Sequence, residues 1–259
     1  MSDPVYTSKT NCLLNIRDLY IEGYQEEEWR QIVKGVSLHV NRGEVLGLIG
    51  ESGAGKSTIG IATMGYTRAG CRIKSGSILF KGNELFGADD ETLRKMRGPR
   101  ISYVAQSAAA SFNPAQKLTH QFVETAVQEG VMSFAEAEGR AKELFRRLDL
   151  PDPDKIGERY PHQVSGGQLQ RCMVAMAMAC NPDLIVFDEP TTALDVTTQI
   201  EVLGAIKEVI EAYGTAAIYI SHDLAVVAQM ADRIMVLRQG FEVETGETPE
   251  SGLVSQFES

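Results

Sequence analysis

One stretch of the chain combines three glycines with a lysine and two adjacent hydroxyl residues at the spacing of a phosphate-binding loop. The stretch consists of Gly50, Glu51, Ser52, Gly53, Ala54, Gly55, Lys56, Ser57 and Thr58. Glycine permits backbone angles that turn successive N–H groups toward phosphate oxygens, and the lysine adds a full positive charge. An apolar run precedes the loop and a helical pattern follows it, which is the context that this motif requires. We therefore expect the loop to bind nucleotide phosphates and Ser57 to bind Mg²⁺.

Two adjacent carboxylates follow a run of apolar residues later in the chain. The run is 184–187, and Asp188 and Glu189 come directly after it. A segment that is apolar at every position is typical of a buried parallel strand, and the carboxyl end of such a strand faces the crevice where ligands bind. We expect Asp188 to hold Mg²⁺ through a water molecule. Glu189 is expected to polarise the water that attacks the γ-phosphate.

Gln106 and His222 each stand at the carboxyl end of a further predicted strand. A single glutamine or histidine at such a place would carry little weight. Both gain significance because their strands are expected to neighbour those that carry Lys56 and Glu189. We expect His222 to hydrogen-bond the γ-phosphate or the attacking water, and Gln106 to reach Mg²⁺ or the same water.

A second glycine-containing turn consists of Ser165, Gly166, Gly167 and Gln168. Ser165 suits the N-cap of a predicted helix, and the glycines leave backbone N–H groups uncovered, so the turn is suited to an anion. One chain cannot easily bring this turn to the phosphates that the first loop already holds. We therefore expect a second nucleotide-binding domain, identical or related, to face the first, each giving its turn to the other's nucleotide. The alternative is an ordinary helix start.

The elements that would position these residues alternate between strands and helices. Buried runs such as 45–49, 184–187 and 216–220 alternate with helical patterns and predict an open, mostly parallel α/β sheet. Short strands joined by turns near the N-terminus predict a small antiparallel sheet laid on that core. Between 107 and 179 the chain is rich in helix-forming residues and has a capping box that begins at Ser133, which predicts an inserted helical subdomain.

The 259 residues are accordingly predicted to form one nucleotide-binding domain. Its expected parts are an ATP-binding core with the antiparallel sheet (13–106 and 180–246), a helical subdomain (107–179) and a loose tail (247–259). The formal net charge of −10 argues against a general nucleic-acid binder. No apolar run reaches the ~18 residues that span a bilayer, so any membrane role must work through a partner. Four cysteines without C-x-x-C spacing favour a reduced, cytoplasmic protein.

The order of these motifs resembles that of ATP-binding cassette (ABC) ATPases. The matching segments are, in chain order, the P-loop (50–58), the Q-loop residue (Gln106), the signature (164–168), Walker B (184–189), the D-loop (Ala193, Leu194 and Asp195) and the switch histidine (His222). The resemblance implies a P-loop NTPase fold with a RecA-like core. It also implies that two ATP molecules with Mg²⁺ are held between P-loop and signature of facing domains, with the D-loop Asp195 nearby. In this family an aromatic residue stacks on adenine, here Tyr24 or alternatively Trp29.

The sequence around the signature is similar to that of oligopeptide, dipeptide and nickel importer ATPases. The segments that carry this similarity are 71–78, 111–114, 159–168, 176–182 and 188–196. The resemblance implies an ATPase that powers the import of peptides or a related small solute. It further implies a peripheral position on the cytoplasmic face of the inner membrane, integral membrane permease subunits as partners and an extracytoplasmic solute-binding protein as an indirect partner. No nucleic-acid partner is expected, because the net charge is −10. The alternative is a soluble ABC ATPase that acts on nucleic acid or the ribosome.

Overall fold

The computed structural model describes residues 11–192 and 194–248. The strands are β1 (Cys12–Gln25), β2 (Glu28–Asn41), β3 (Val45–Ile49), β4 (Cys71–Phe80), β5 (Asn83–Glu84), β6 (Ile101–Val104), β7 (Leu184–Asp188), β8 (Ala216–Ile220), β9 (Arg233–Arg238) and β10 (Phe241–Glu247). The helices are α1 (Lys56–Ala62), α2 (Asp90–Met96), α3 (Ala108–Ser111), α4 (Leu118–Gln128), α5 (Phe134–Arg147), α6 (Gly166–Met178), α7 (Val196–Tyr213) and α8 (Leu224–Met230). Within the described residues, none of the helices is long and apolar enough to cross a membrane.

A six-stranded sheet forms the centre of the fold, in the order β10–β9–β3–β8–β7–β6. The pairs from β9 to β6 are parallel, and the edge strand β10 is antiparallel to its neighbour. Every residue of β3, β7 and β8 is buried, because this sheet is covered on both faces. The predicted mostly parallel α/β sheet is confirmed, and it brings the carboxyl ends of β3, β6, β7 and β8 to one edge.

Side chains of β7 alternate between two hydrophobic clusters, one on each face of the six-stranded sheet. Ile185 and Phe187 belong to the cluster that includes the inserted helices. Leu184 and Val186 belong to the cluster that includes α1 and the antiparallel strands. Because successive side chains of a strand point to opposite faces, this one strand is held by both layers. The residues at its carboxyl end are therefore placed by the best-buried part of the molecule.

The antiparallel sheet has the order β2–β1–β4–β5, in agreement with the sequence, but its strands are longer than the sequence indicates. The polar composition of residues 23–29 predicts a long turn, and this prediction is wrong. The turn is confined to Glu26 and Glu27, which have positive φ angles of 48° and 67°, as two-residue hairpins require. Pairing of β1 with β2 continues to Tyr24 and Trp29, because main-chain hydrogen bonds offset the polar composition.

Four helices, α3 to α6, lie between β6 and β7 in the chain and fall within the predicted helical segment. The predicted capping box is confirmed: Ser133 Oγ accepts from Glu136 N, and Ser133 N donates to the Glu136 carboxylate at 2.8 Å. One face of α5 is buried in the core beneath it, as its 3.6-residue apolar period predicts, through Ala137, Ala141, Leu144 and Phe145.

The carboxyl-terminal end of the described chain is more regular than its sequence pattern indicates. The loose tail was predicted to begin at residue 247, but Glu247 is the last residue of β10, where it pairs with Arg233. Thr248 N then donates to Asp232 O at 2.8 Å. Pairing with a neighbouring strand, which single-strand periodicity does not reveal, orders this segment. The rest of the predicted tail, 249–259, lies outside the described residues.

Candidate functional site

The phosphate-binding loop joins β3 to α1 and has a shape that needs glycine at two positions. Gly50 has φ 150°, and a Cβ there would lie 2.1 Å from the carbonyl oxygen of Leu237. Gly55, the N-cap of α1, has φ 97°, and a Cβ there would lie 3.3 Å from the carbonyl oxygen of Ile32. These approaches seat the loop against β9 and β2. Residues 51–53 are exposed, so this part of the loop is accessible to a ligand.

Lys56 is buried at the start of α1, with 5% of its surface exposed. Its Nζ donates to the carbonyl oxygens of Gly50 (2.7 Å) and Glu51 (2.9 Å) in the same loop. Burial lowers the pKa of Lys56, and the nearby carboxylates of Glu189 and Asp188 act in the opposite direction. The ammonium group therefore lies where the loop meets the acidic end of β7.

Ser57 and Asp188 form a compact pair of oxygen groups beside this lysine. Ser57 Oγ donates to Asp188 Oδ1 at 2.7 Å, and Asp188 is buried, with 4% exposed. The other carboxylate oxygen, Oδ2, accepts a hydrogen bond from the Tyr103 hydroxyl and lies 3.5 Å from the Arg68 guanidinium. A hydroxyl and a carboxylate are the hard oxygen donors that Mg²⁺ prefers. The pair therefore fits the cation that the sequence predicts here.

Glu189 is the centre of a second polar group at the same edge of the sheet. Its Oε2 accepts from Gln106 Nε2 at 3.3 Å and from Thr192 Oγ1 at 3.1 Å, and it lies 3.5 Å from His222 Nδ1. Glu189 has φ 49°, a conformation that costs an ordinary side chain about 1 kcal/mol or more and occurs often at functional sites. A main-chain hydrogen bond of 3.0 Å to Ile220 O helps to hold it.

Three residues of this site were not identified from the sequence. Thr192 has a weak signal, since it follows Glu189 by three residues, the spacing of a local turn. Tyr103 has a stronger one, because it is a tyrosine in the predicted strand directly before Gln106. Arg68 lies in the connection after α1, 120 positions before Asp188, and nothing in its local sequence indicates the contact.

The turn from Ser165 to Gln168 begins α6 with a capping box. Gln168 N donates to Ser165 Oγ at 3.2 Å, and Ser165 N donates to Gln168 Oε1 at 3.1 Å. Both side chains therefore bond within the turn. Ser165 and Gly166 are exposed, whereas Gly167 is buried, and a Cβ on Gly167 would lie 2.3 Å from Thr198 Cγ2.

The start of α7 lies beside this turn and carries the predicted D-loop aspartate. Asp195 caps α7 by accepting a hydrogen bond from Thr198 N at 3.1 Å, and backbone hydrogen bonding lowers the pKa of Asp195. Leu194 Cδ2 would lie 3.8 Å from a Cβ on Gly166. Ala193 lies outside the described residues. The signature and the D-loop thus form one exposed corner, distinct in its contacts from the group around Lys56.

Tyr24 and Trp29 face each other across the β1–β2 hairpin, with ring centroids 5.2 Å apart. The Arg72 guanidinium lies 4.0 Å from the centroid of the Trp29 ring. Strand β2 contacts the phosphate-binding loop at Ile32, and a strand rises ~3.3 Å per residue, so Trp29 lies on the order of 10 Å along the strand from that contact. Both rings are partly exposed at this end of the hairpin, and either remains a candidate for the base.

The sequence profile of the ABC transporter family matches residues 33–192. A probable peptide ABC transporter ATP-binding protein of Sinorhizobium fredii is 39% identical over 91% of this chain and 71% of its own length. A probable D,D-dipeptide transport ATP-binding protein of Escherichia coli is 37% identical over 92% of this chain and 73% of its own. Dimeric ATP-binding cassettes, one bound to ADP and Pi, superpose with a TM-score of 0.80 at 26–27% identity, covering 92% of this chain and 99% of theirs. The chain therefore belongs to the ABC transporter family, as an ATP-binding cassette that hydrolyses ATP.

Proposed function

We propose that this cassette powers an importer for peptides or a related small solute. The observation that carries the proposal is the convergence of Lys56, Ser57, Asp188 and Glu189 at one edge of the parallel sheet. The relatives named above are transport proteins for peptides, which favours import over action on nucleic acid or the ribosome. The proposed substrate class rests on those relatives alone, because the residues of the site would contact a nucleotide and would not contact the transported solute.

Each residue of the site has a separate role in binding or hydrolysing ATP. The loop 50–58 and Lys56 bind the β- and γ-phosphates through N–H groups and a buried positive charge. Ser57 and Asp188 hold Mg²⁺, with Gln106 close by, and the cation neutralises charge on the phosphates when it is bound. Glu189 orients and polarises the attacking water, and His222, 3.5 Å from Glu189 Oε2, contacts the γ-phosphate or that water. Tyr24 or Trp29 stacks on the adenine.

A second cassette completes the site in this proposal. The turn 165–168 is exposed at its first two residues, and with Asp195 of the D-loop it faces the nucleotide held by the partner's loop. The chain acts as one domain over residues 1–259, with a core (13–106 and 180–246), a helical subdomain (107–179) and the segment 247–259. The placement of α3 to α6 within 107–179 supports this division.

The permease subunits would bind at a groove between the sheet and the helical subdomain. The groove has a volume of about 440 Å³, and its lining includes Tyr66, Arg97, Tyr103, Ser111, Gln121 and Met176. Docking here places the cassette on the cytoplasmic face of the inner membrane, with the extracytoplasmic solute-binding protein reached through the permease. Cross-linking from Ser111→Cys to the permease tests this placement, and contacts confined to other faces of the cassette would contradict it.

Glu189→Gln tests the core of the proposal. The amide keeps the shape of the side chain but cannot act as a base, so we expect ATP turnover to fall about 100-fold or more. The variant should still bind ATP and should therefore accumulate as an ATP-bound dimer, which light scattering detects by its mass. Glu201→Gln, at an exposed position of α7, is the matched control and should hydrolyse ATP at the wild-type rate. Normal turnover by Glu189→Gln would refute the role assigned to Glu189.

A further inference from the structure

The carboxylate of Asp188 has a separate partner on each of its two oxygens. Oδ1 accepts a hydrogen bond from Ser57 Oγ at 2.7 Å. Oδ2 accepts from the hydroxyl of Tyr103 and lies 3.5 Å from the Arg68 guanidinium. The Asp188 side chain is 6% exposed. Its orientation is therefore set by protein groups and not by solvent.

Tyr103 can reach Asp188 because of the register between two parallel strands. Tyr103 on β6 is aligned with Val186 on β7, and Asp188 lies two residues beyond Val186, on the same face of the sheet. The Tyr103 hydroxyl is the donor in this contact and the Asp188 carboxylate oxygen Oδ2 is the acceptor, since an ionised carboxylate can only accept.

We propose that Tyr103 is a positioning residue of the nucleotide site, which holds Asp188 so that Oδ1 faces Ser57 and the divalent cation. This inference rests on the proposed Mg²⁺ site. Without the hydroxyl, Oδ2 of Asp188 loses its short hydrogen bond, and Ser57 on Oδ1 and the more distant Arg68 restrain the carboxylate less well. Groups that hydrogen-bond a metal ligand typically change metal affinity by about 10- to 100-fold when they are removed.

Arg68 lies beside Asp188 Oδ2, the oxygen that accepts from Tyr103, but its effect on cation binding is opposite to that of Tyr103. Its guanidinium is held near Asp188 by charge, and its side chain is 60% exposed. A positive charge at this distance opposes the arrival of a second one, although solvent screens the effect. Tyr103 therefore strengthens cation binding by orienting the carboxylate, whereas Arg68 weakens it by competing for the same charge.

The test is a titration of the cassette with Mn²⁺ in the presence of a non-hydrolysable ATP analogue, followed by electron paramagnetic resonance. Tyr103→Phe removes one oxygen and keeps the ring, and we expect its Mn²⁺ dissociation constant to rise about 10-fold. Arg68→Gln should lower that constant by roughly 2- to 3-fold. Tyr20→Phe, a half-buried tyrosine on β1 of the other sheet, is the matched control and should behave as the wild type.

Binding of the analogue in EDTA separates this inference from the proposed function. All four proteins should bind it equally, since Lys56 and the loop do not depend on Tyr103. An unchanged Mn²⁺ constant in Tyr103→Phe, or a loss of cation-free binding in that variant, would overturn the positioning role while the nucleotide site stands. Weaker Mn²⁺ binding by Arg68→Gln would overturn the competition. A wild-type protein that binds no analogue would overturn the proposed site and this inference with it.

Discussion

The two glycine-containing turns of this cassette are built in different ways. The phosphate-binding loop is surrounded by its own chain: Lys56 bonds to the loop carbonyls and Ser57 bonds to Asp188 across the sheet. The turn at Ser165 satisfies its hydrogen bonds internally, and its first two residues face solvent. One half of the proposed nucleotide site is therefore assembled within a single chain. The other proposed half is presented outward, as the proposed binding of ATP between two cassettes requires.

The largest expected effect comes from the assembled half. Lys56→Met keeps the length of the side chain but removes a buried charge that lies between the loop and two carboxylates. Hydrogen bonds between an ionised donor and a phosphate are stronger than those between neutral groups. Because the variant cannot form them, we expect its affinity for ATP to fall by about 100-fold or more. Fluorescence titration with a labelled ATP measures it. Lys207→Met, on the exposed face of α7, is the control, and equal affinity of the two variants would contradict the assignment of Lys56.

A change in the presented half should separate ATP binding from dimer formation. Gly166→Asp places a negative charge at an exposed position, where the partner's phosphates are expected and where like charges repel. We expect the ATP dissociation constant of the monomer to stay within about 2-fold of the wild-type value, which is a free-energy change well below the ~1.4 kcal/mol of a tenfold difference. When Gly166→Asp is combined with Glu189→Gln, the ATP-dependent dimer should no longer form, and light scattering should detect only the monomer.

Gly139→Asp is the matched control for that experiment, because Gly139 is exposed on α5 and a Cβ there would meet no atom within 4 Å. It should dimerise normally. A dimer that forms equally well with Gly166→Asp would show that the turn at Ser165 does not face the partner's nucleotide.

The smallest expected effect concerns the junction that supports the presented turn. Gly167→Ala puts a Cβ 2.3 Å from Thr198 Cγ2, so α6 and α7 must move apart or Thr198 must change rotamer. Overpacking of this kind costs about 1–3 kcal/mol of unfolding free energy. Gly204→Ala, in α7 with open space around it, should instead stabilise by about 0.5–1 kcal/mol. Urea denaturation compares them, and a Gly167→Ala protein as stable as the wild type would contradict the tight α6–α7 contact.

Much of the site was predictable because its residues belong to local patterns. Gly50 to Thr58 follow a buried strand, and Asp188 and Glu189 end another, so adjacency in sequence indicates adjacency at the sheet edge. The length of the turn between β1 and β2 was predicted wrongly for the converse reason. Its polar residues look like a turn, and the strands form because β1 and β2 pair with each other and β1 with β4. Pairing energy of that kind depends on partners that are distant in the chain.

The sequence by itself determined the family and the parallel sheet, and it predicted the residues of the candidate ATP site, because glycine spacing, apolar runs and acidic strand ends are local properties. The tertiary structure alone decided which groups hold those residues in place. Arg68 reaches Asp188 across 120 positions, and Tyr103 reaches it through the register of β6 and β7. Such contacts depend on strand order and on side-chain reach in three dimensions, which periodicity along one chain does not encode.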